Sequence, residues 1–169
     1  MALEKLGFVK KGKPRNACIL LFSNKEIDYS VHVGRFKTSD MIIDEKIYKA
    51  PLFDVVELIM QYFYHWIKVA IEITGKKTQR DEIFEYPIPA LREIILNSIV
   101  HRDYTSPIDT QIKIFDNSIT VFNPGKLYGD LTVKDLQTDH YQSNARNRLI
   151  AEAFYLTNDI EKYLTTDVH

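Results

Sequence analysis

The segment from Pro89 to Tyr104 reads PALREIILNSIVHRDY and carries one polar line on an otherwise apolar cylinder. Residues four apart in a helix lie nearly above one another, so Glu93, Asn97 and His101 form a single stripe. Leu91, Ile94, Ile95, Leu96, Ile99 and Val100 occupy the rest of the circumference. A helix apolar on most sides is normally buried. Burying a carboxylate and an amide costs several kcal/mol unless they are paired or bound to something. The chain is therefore expected to supply a partner for this stripe, and a ligand is one such partner.

The 169 residues suit one ordinary domain or a two-part unit. Ten tyrosines and nine phenylalanines are enough for a sizeable core. A net charge of −1 gives no global attraction to nucleic acid, although a local basic patch stays open. The single cysteine, Cys18, allows no internal disulfide and no cysteine metal set. That points to a reducing, cytoplasmic compartment, with Cys18 as a small core residue. No secretory signal pattern opens the chain, and no apolar run suits a bilayer, so no membrane partner is expected. From Phe53 to Ile73 the apolar residues are interrupted by Glu57, Gln61, His65, Lys68 and Glu72, the spacing of an amphipathic helix. On it, His65 and Trp66 read as core and rim residues.

Periodicity and punctuation give an order of elements. A helix end at Leu3 to Leu6 is stopped by Gly7, and a basic turn spans Lys10 to Arg15. The apolar run from Ala17 to Phe22 reads as a buried strand, and Tyr29 to Phe36 as a second. Ile42-Ile43 and Ile47-Tyr48 suggest a hairpin or an extended crossing segment. A long helix is expected from about Leu52 to Ile73, ending at Gly75. A charged connector, Lys76 to Glu85, has room for a short strand at Ile83-Phe84. After the striped helix, Ile108 to Phe115 alternates as a strand, turns at Asp116-Asn117, and returns as Ile119 to Phe122. Asn123-Pro124-Gly125 breaks that strand. A loop with a helical turn near Val133 to Leu136 leads to a last helix starting near Asn147. The fold class expected is α+β, with a mixed or antiparallel sheet covered by the long, striped and last helices. Residues 1–75 and 76–169 are expected as two units packed together.

Three blocks in this order, ALREIILNSIVHRDY, ITVFNPGKL and ARNRLIAEAF, resemble a family of bacterial and archaeal proteins described as transcriptional regulators or as relatives of the ATP-dependent DNA helicase RecG. Their C-terminal module resembles the GHKL (Bergerat-type) ATPase domain of histidine kinases, gyrase, Hsp90 and MutL. The upstream stretch LEKLGFVKKGKPRNACILLFSN resembles the segment located after a Schlafen-type, AlbA-like domain in the same proteins. The resemblance implies ATP and Mg²⁺ as cofactors. It implies Glu93 as the catalytic group that orients or deprotonates water. Asn97 would give an amide oxygen to a Mg²⁺ that bridges the phosphates. His101, Asn123, Gly125 and Arg146 complete the cofactor-binding set that it implies. It also implies DNA as a partner, reached through an AlbA-like and a helix-turn-helix domain. Neither is complete here, so the chain is expected to be a fragment or a shortened relative.

Departures bear on activity. Asn123 stands where the superfamily has an aspartate that accepts from the adenine amino group, and an amide oxygen accepts without charge. Leu127 takes the place of the second glycine, and Gly129 comes two positions late. The loop Lys126 to Asn144, placed like an ATP lid, is not glycine-rich and carries Asp130, Asp135 and Asp139. Any Mg²⁺-dependent hydrolysis is therefore expected to be slow.

Duller readings stand beside these. Glu93 and Asn97 suit a satisfied network with Arg92 or Arg102, or, with His101, a weak transition-metal set. His101, Arg102 and Asp103 suit a helix C-terminus and its turn. Arg146 and Arg148 suit either an anion site or a solvated cap, and Lys10 to Arg15 either nucleic-acid phosphates or a solvated turn. Two functions stand open: an ATP-binding regulatory module of a DNA-associated regulator, or a degenerate scaffold or homodimerisation domain of one. Direct nucleic-acid binding is a weaker third.

Overall fold

Both faces and both edges of the strand β3 (Val31–Thr38) are covered. Val31, Val33, Gly34, Arg35 and Phe36 are all buried. The computed structural model describes residues 2–23, 28–72, 81–129, 132–138 and 145–157. In it β3 pairs antiparallel with β4 (Met41–Tyr48) and parallel with β7 (Thr110–Ile114). An antiparallel β8 (Ile119–Phe122) closes the order β4-β3-β7-β8. The fold is thus α+β with a mixed sheet packed against helices. Strands from both halves of the sequence share this sheet.

Parallel neighbours need a long crossover. Here it runs through α3 (Leu52–Trp66), the hairpin β5 (Val69–Glu72) and β6 (Asp81–Phe84), and α4 (Ile88–His101). Along α3 the buried residues Leu52, Val55, Val56, Ile59, Met60 and Phe63 recur at helical spacing. They join Val31, Val33, Ile112 and Ile114 of the sheet in one core. Each such burial is worth about 1.5–3 kcal/mol. The shorter α2 (Asn16–Phe22) and α4 flank α3, and α5 (Arg148–Leu156) packs on α2 and α4. A small helix α1 (Ala2–Lys5) ends at Gly7, and a two-stranded turn, β1 (Val9–Lys10) with β2 (Lys13–Pro14), carries the basic run. Among the described residues no helix is long and apolar enough to cross a membrane.

Two elements differ from their sequence reading. Ala17 to Phe22 is helical, not a strand. Cys18 and Leu21 face the core three residues apart, while Ile19 and Phe22 are exposed. A six-residue apolar run has too little periodicity to separate the two states. The long helix stops at Trp66 rather than near Ile73. Ile67 turns to extended backbone, and β-branched Val69 and Ile71 enter the hairpin with β6. The expected stop at Gly75 and most of the Lys76 to Glu85 connector lie outside the described residues. The predicted strand at Ile83-Phe84 lies within β6, and the helical turn after Val133 is a 3₁₀ turn, Asp135–Gln137.

The β7–β8 turn is tied to β3 by charge. Arg35 is buried and donates to Ile114 O at 3.0 Å and Phe36 O at 2.9 Å, and it pairs with Asp116. Lys37 reaches the other oxygen of Asp116 at 2.8 Å. Hydrogen bonds from Lys37 and Arg35 hold the Asp116 carboxyl down at about 2. A carboxyl depressed in the folded state stabilises above its unfolded pKa and loses that contribution as pH falls through the folded one. Asp116→Asn should therefore melt lower than wild type at pH 7, and the gap should close between about pH 4 and pH 2. Thermal melts across that range check this, and a gap independent of pH would show that the pair carries no charge-linked stability.

Candidate functional site

Helix α4 begins at Pro87, with Pro89 in its first turn, where a missing N–H does no harm. It buries Leu91, Ile95, Leu96, Ser98, Ile99 and Val100. Glu93 and Asn97 are exposed, and so is Ile94, at 47%. The helix is thus covered on one side, not almost all round, because Ile94 is turned away from the core. Glu93 and Asn97 are open to solvent, so the polarity of the stripe alone demands no ligand. Arg92 bonds Glu57 of α3 at 2.6 Å, and Arg102 turns inward, so neither neutralises Glu93. Among the described residues Glu93 and Asn97 have no hydrogen-bond or ion-pair partner. His101, half-buried at the end of the stripe, has its pKa lowered by burial and then by the charge of Arg146. It is neutral at pH 7.

Immediately after α4 the chain turns inward. Arg102 is only 2% exposed. Its Nη1 donates to Thr110 Oγ1 at 3.1 Å and its Nη2 to Ile108 O at 2.9 Å. The guanidinium lies against the edge-to-face pair of Tyr29 and Tyr104, 6.0 and 5.5 Å from their centroids. Thr110 in turn donates to Asn123 Oδ1 at 3.0 Å. Asn123 is thus a member of a buried polar chain. Arg102 is a strut of the core, not a solvated residue at a helix end.

The next residue closes the other side. The amide of Asp103 donates to Pro124 O at 3.0 Å. Its carboxylate accepts from the hydroxyl and amide of Thr105, which hold its pKa low, with Arg146 adding to the effect. Arg146 Nη1 lies 3.6 Å from Asp103 Oδ2, Nη2 donates to Lys126 O at 2.6 Å, and the guanidinium stacks over Tyr128. Gly125 sits at φ +121°, and a Cβ there would lie 3.0 Å from Asp103 Cβ and 3.5 Å from Arg146 Nη2. The positive φ favours glycine, and a Cβ would also press on Asp103. Asn147 donates from Nδ2 to Val100 O at 2.8 Å and Arg102 O at 2.7 Å, and from its backbone N to Val100 O at 3.1 Å.

The ends of the three sequence blocks therefore meet. Of the residues expected in the site, His101, Asn123, Gly125 and Arg146 gather at this junction. Asn97 and Glu93 lie one and two turns back along α4. Arg102, Thr110 and Asn147 organise the junction without having stood out as site residues. A buried arginine and a bridging asparagine leave no periodic mark in sequence. Among the described residues no three His, Cys, Asp or Glu side chains converge on a metal position. In the loop, Thr132 and Asp135 bond each other reciprocally. Asp130, Asp139 and Asn144 lie outside the described residues.

Residues 108–165 match the family described as "Putative ATP-dependent DNA helicase recG C-terminal". This stretch is similar to an ATPase-like, RecG-related module. The match takes in β7, β8 and α5 and, with them, Asn123, Gly125 and Arg146. It begins after α4, so Glu93, Asn97 and His101 lie upstream of it. The crystal structure of the DIP2311 protein from Corynebacterium diphtheriae superposes with a TM-score of 0.78 at 18% identity. The superposition covers 95% of this chain and 32% of that one, so the chain spans about a third of that protein's length. At this identity the likeness is one of fold. No curated protein matches the chain.

Arg102→Ala would strand Ile108 O and Thr110 in the interior and should cost about 2–4 kcal/mol in urea unfolding. A cost below about 0.5 kcal/mol, that of an ordinary surface change, would remove Arg102 from this role. Asn147→Asp should be worse than Asn147→Ala, since it turns acceptors toward two carbonyl oxygens. Equal stability of the two variants would show that the amide donors do not hold α5 to α4.

Proposed function

We propose that this chain is an ATP-binding regulatory module of a RecG-related, DNA-associated regulator, with Mg²⁺ entering on the nucleotide. What supports this reading is the match of residues 108–165, which takes in Asn123, Gly125 and Arg146, together with the open stripe of Glu93 and Asn97, one turn apart on α4. The helix leads from them through His101 to Gly125 and Arg146. Glu93 to His101 is eight residues, about 12 Å of helix, which suits an elongated ligand. The donor chemistry fits. Asn97 offers one amide oxygen, enough for an ion that keeps water and phosphate oxygens. Mg²⁺ would supply charge neutralisation to the phosphates, held through Asn97. Glu93 would be the residue that orients a water toward them. Asn123 Oδ1 accepts from Thr110 and keeps one lone pair for a base amino group. Gly125 lets backbone approach the base, and neutral His101 can donate or accept a hydrogen bond. DNA is reached through domains outside this chain, the molecule works as a homodimer, and the compartment is cytoplasmic.

A second reading, a non-catalytic scaffold or dimerisation domain of such a regulator, draws support from one specific feature. Asp103 and Arg146 fill the space beside Gly125, and two contacts already hold Arg146.

Calorimetric titration with Mg²⁺-ATP separates the two readings, since only the first gives a saturable heat. Asn97→Ala should weaken binding about tenfold or more by removing the metal ligand, while Glu93→Gln should bind as wild type. Equal loss in both variants would make the pair structural, and unchanged affinity in Asn97→Ala would take Asn97 out of the site. Hydrolysis should be slow or undetectable, because phosphoryl transfer needs enclosing donors. In the described part of the lid, the hydroxyl and amide of Thr132 keep Asp135 ionised. A clear Mg²⁺-dependent rate that disappears in Glu93→Gln would overturn that expectation and make the chain an enzyme.

A further inference from the structure

A surface groove of about 710 Å³ runs between α2, the loop after α4 and the start of α5. Its charged lining is Arg15, Asp103, Arg146 and Arg148, three guanidiniums to one carboxylate, in a chain whose net charge is −1. None of Glu93, Asn97, His101, Asn123 or Gly125 lines it; Arg146 alone is shared with the proposed nucleotide site.

The three arginines differ in freedom. Arg148 has a side chain 87% exposed and is tied only through Nε to Glu152, one turn on, at 2.9 Å. Arg15 makes one long bond, 3.4 Å, to Gly7 O. Arg146 is the fixed member, and its buried Nε has no hydrogen-bond partner. The exposed Lys10, Lys11 and Lys13 lie on the β1–β2 turn just before Arg15 and extend the basic surface past the groove. Exposed guanidiniums hold phosphate oxygens through paired donors, and this is the strongest electrostatic use of such a surface. A single phosphate ion would call for a closed cradle. Here the cations are strung along an open groove and onto a neighbouring turn, which suits phosphates repeated along a chain.

We propose that this groove binds the phosphodiester backbone of a nucleic acid strand, with Arg15 and Arg148 as direct phosphate contacts and Arg146 as the anchored base of the site. The proposal shares only Arg146 with the nucleotide reading, and Arg15 and Arg148 belong to no part of that site. The carboxylate of Asp103 faces Arg146 and Thr105, which partly offset its repulsion.

The test is fluorescence anisotropy of a short fluorescein-labelled single strand with the full chain. Two direct phosphate contacts predict an affinity that falls about sevenfold from about 50 to about 200 mM salt. Arg15→Ala and Arg148→Ala should each lower the salt slope by about 0.7, and Arg15→Glu with Arg148→Glu should abolish binding. Lys46→Glu, on the exposed edge strand β4, should change neither quantity. Circular dichroism melts confirm that each variant is folded, and Mg²⁺-ATP titration of the arginine variants keeps the two sites apart. Four results would overturn the proposal: no binding at low salt, binding that Lys46→Glu weakens as much as the arginine changes do, an unaltered slope in Arg15→Ala and Arg148→Ala, or displacement of the strand by inorganic pyrophosphate at equal phosphate concentration.

Discussion

A guanidinium taken out of water costs several kcal/mol unless its donors are met, and the bonds of the two terminal nitrogens of Arg102, whose Nε has no partner, organise this molecule. Its two terminal nitrogens reach the first residue of β7 and the carbonyl just before it. It lies against the paired rings of Tyr29, at the approach to β3, and Tyr104. Its own carbonyl receives Asn147 from the start of α5. One side chain and one peptide oxygen thereby fix the end of the crossover helix against the central parallel strand pair and the last helix. No carboxylate bonds to it directly. The charge is held by neutral acceptors and aromatic faces, so it specifies position as much as stability.

That fixed point separates two kinds of surface. On one side of it the helix α4 presents Glu93 and Asn97 to solvent. Beyond it, Asp103, Pro124, Gly125 and Arg146 pack into a closed corner. The residues with the freedom to meet a ligand are thus on the helix, and those that shape the site are at its end. This division explains how residues 108–165 can match an ATPase-like module while the open polar stripe comes from sequence upstream of the match. It also explains why Arg146 serves better as a positioned charge than as a mobile one. Two of its contacts set its direction before any ligand arrives.

The same corner limits chemistry. His101 is kept neutral by burial and by its arginine neighbour, so it adds hydrogen-bonding capacity without a further positive charge. Thr105 donates to Asp103 twice and lowers its pKa further below the ordinary carboxylate range. Phosphates approaching from the groove side meet a surface where arginines outnumber that one carboxylate, whereas phosphates approaching along α4 meet Glu93 and the amide of Asn97.

The sequence by itself determined the elements whose periodicity is long or whose punctuation is sharp. The striped helix, the alternation of β7 and β8, the Asp116-Asn117 turn and the α+β class were all legible, because period and turn chemistry are local properties of the chain. The order of the three blocks was legible too, and with it the identities of Asn123, Gly125 and Arg146 as neighbours of one corner. Tertiary structure decided the rest. It made Ala17 to Phe22 a helix, since a short apolar run takes whichever conformation its packing rewards. It ended α3 at Trp66, where pairing with β6 outweighed continued helix. It left Ile94 in water and so opened the stripe, which no count of apolar residues around a helix could foresee. It also drew Arg102 inside, since a buried cation is offset by acceptors that lie six residues or more away or on other strands, and such distances have no signature in spacing along the chain.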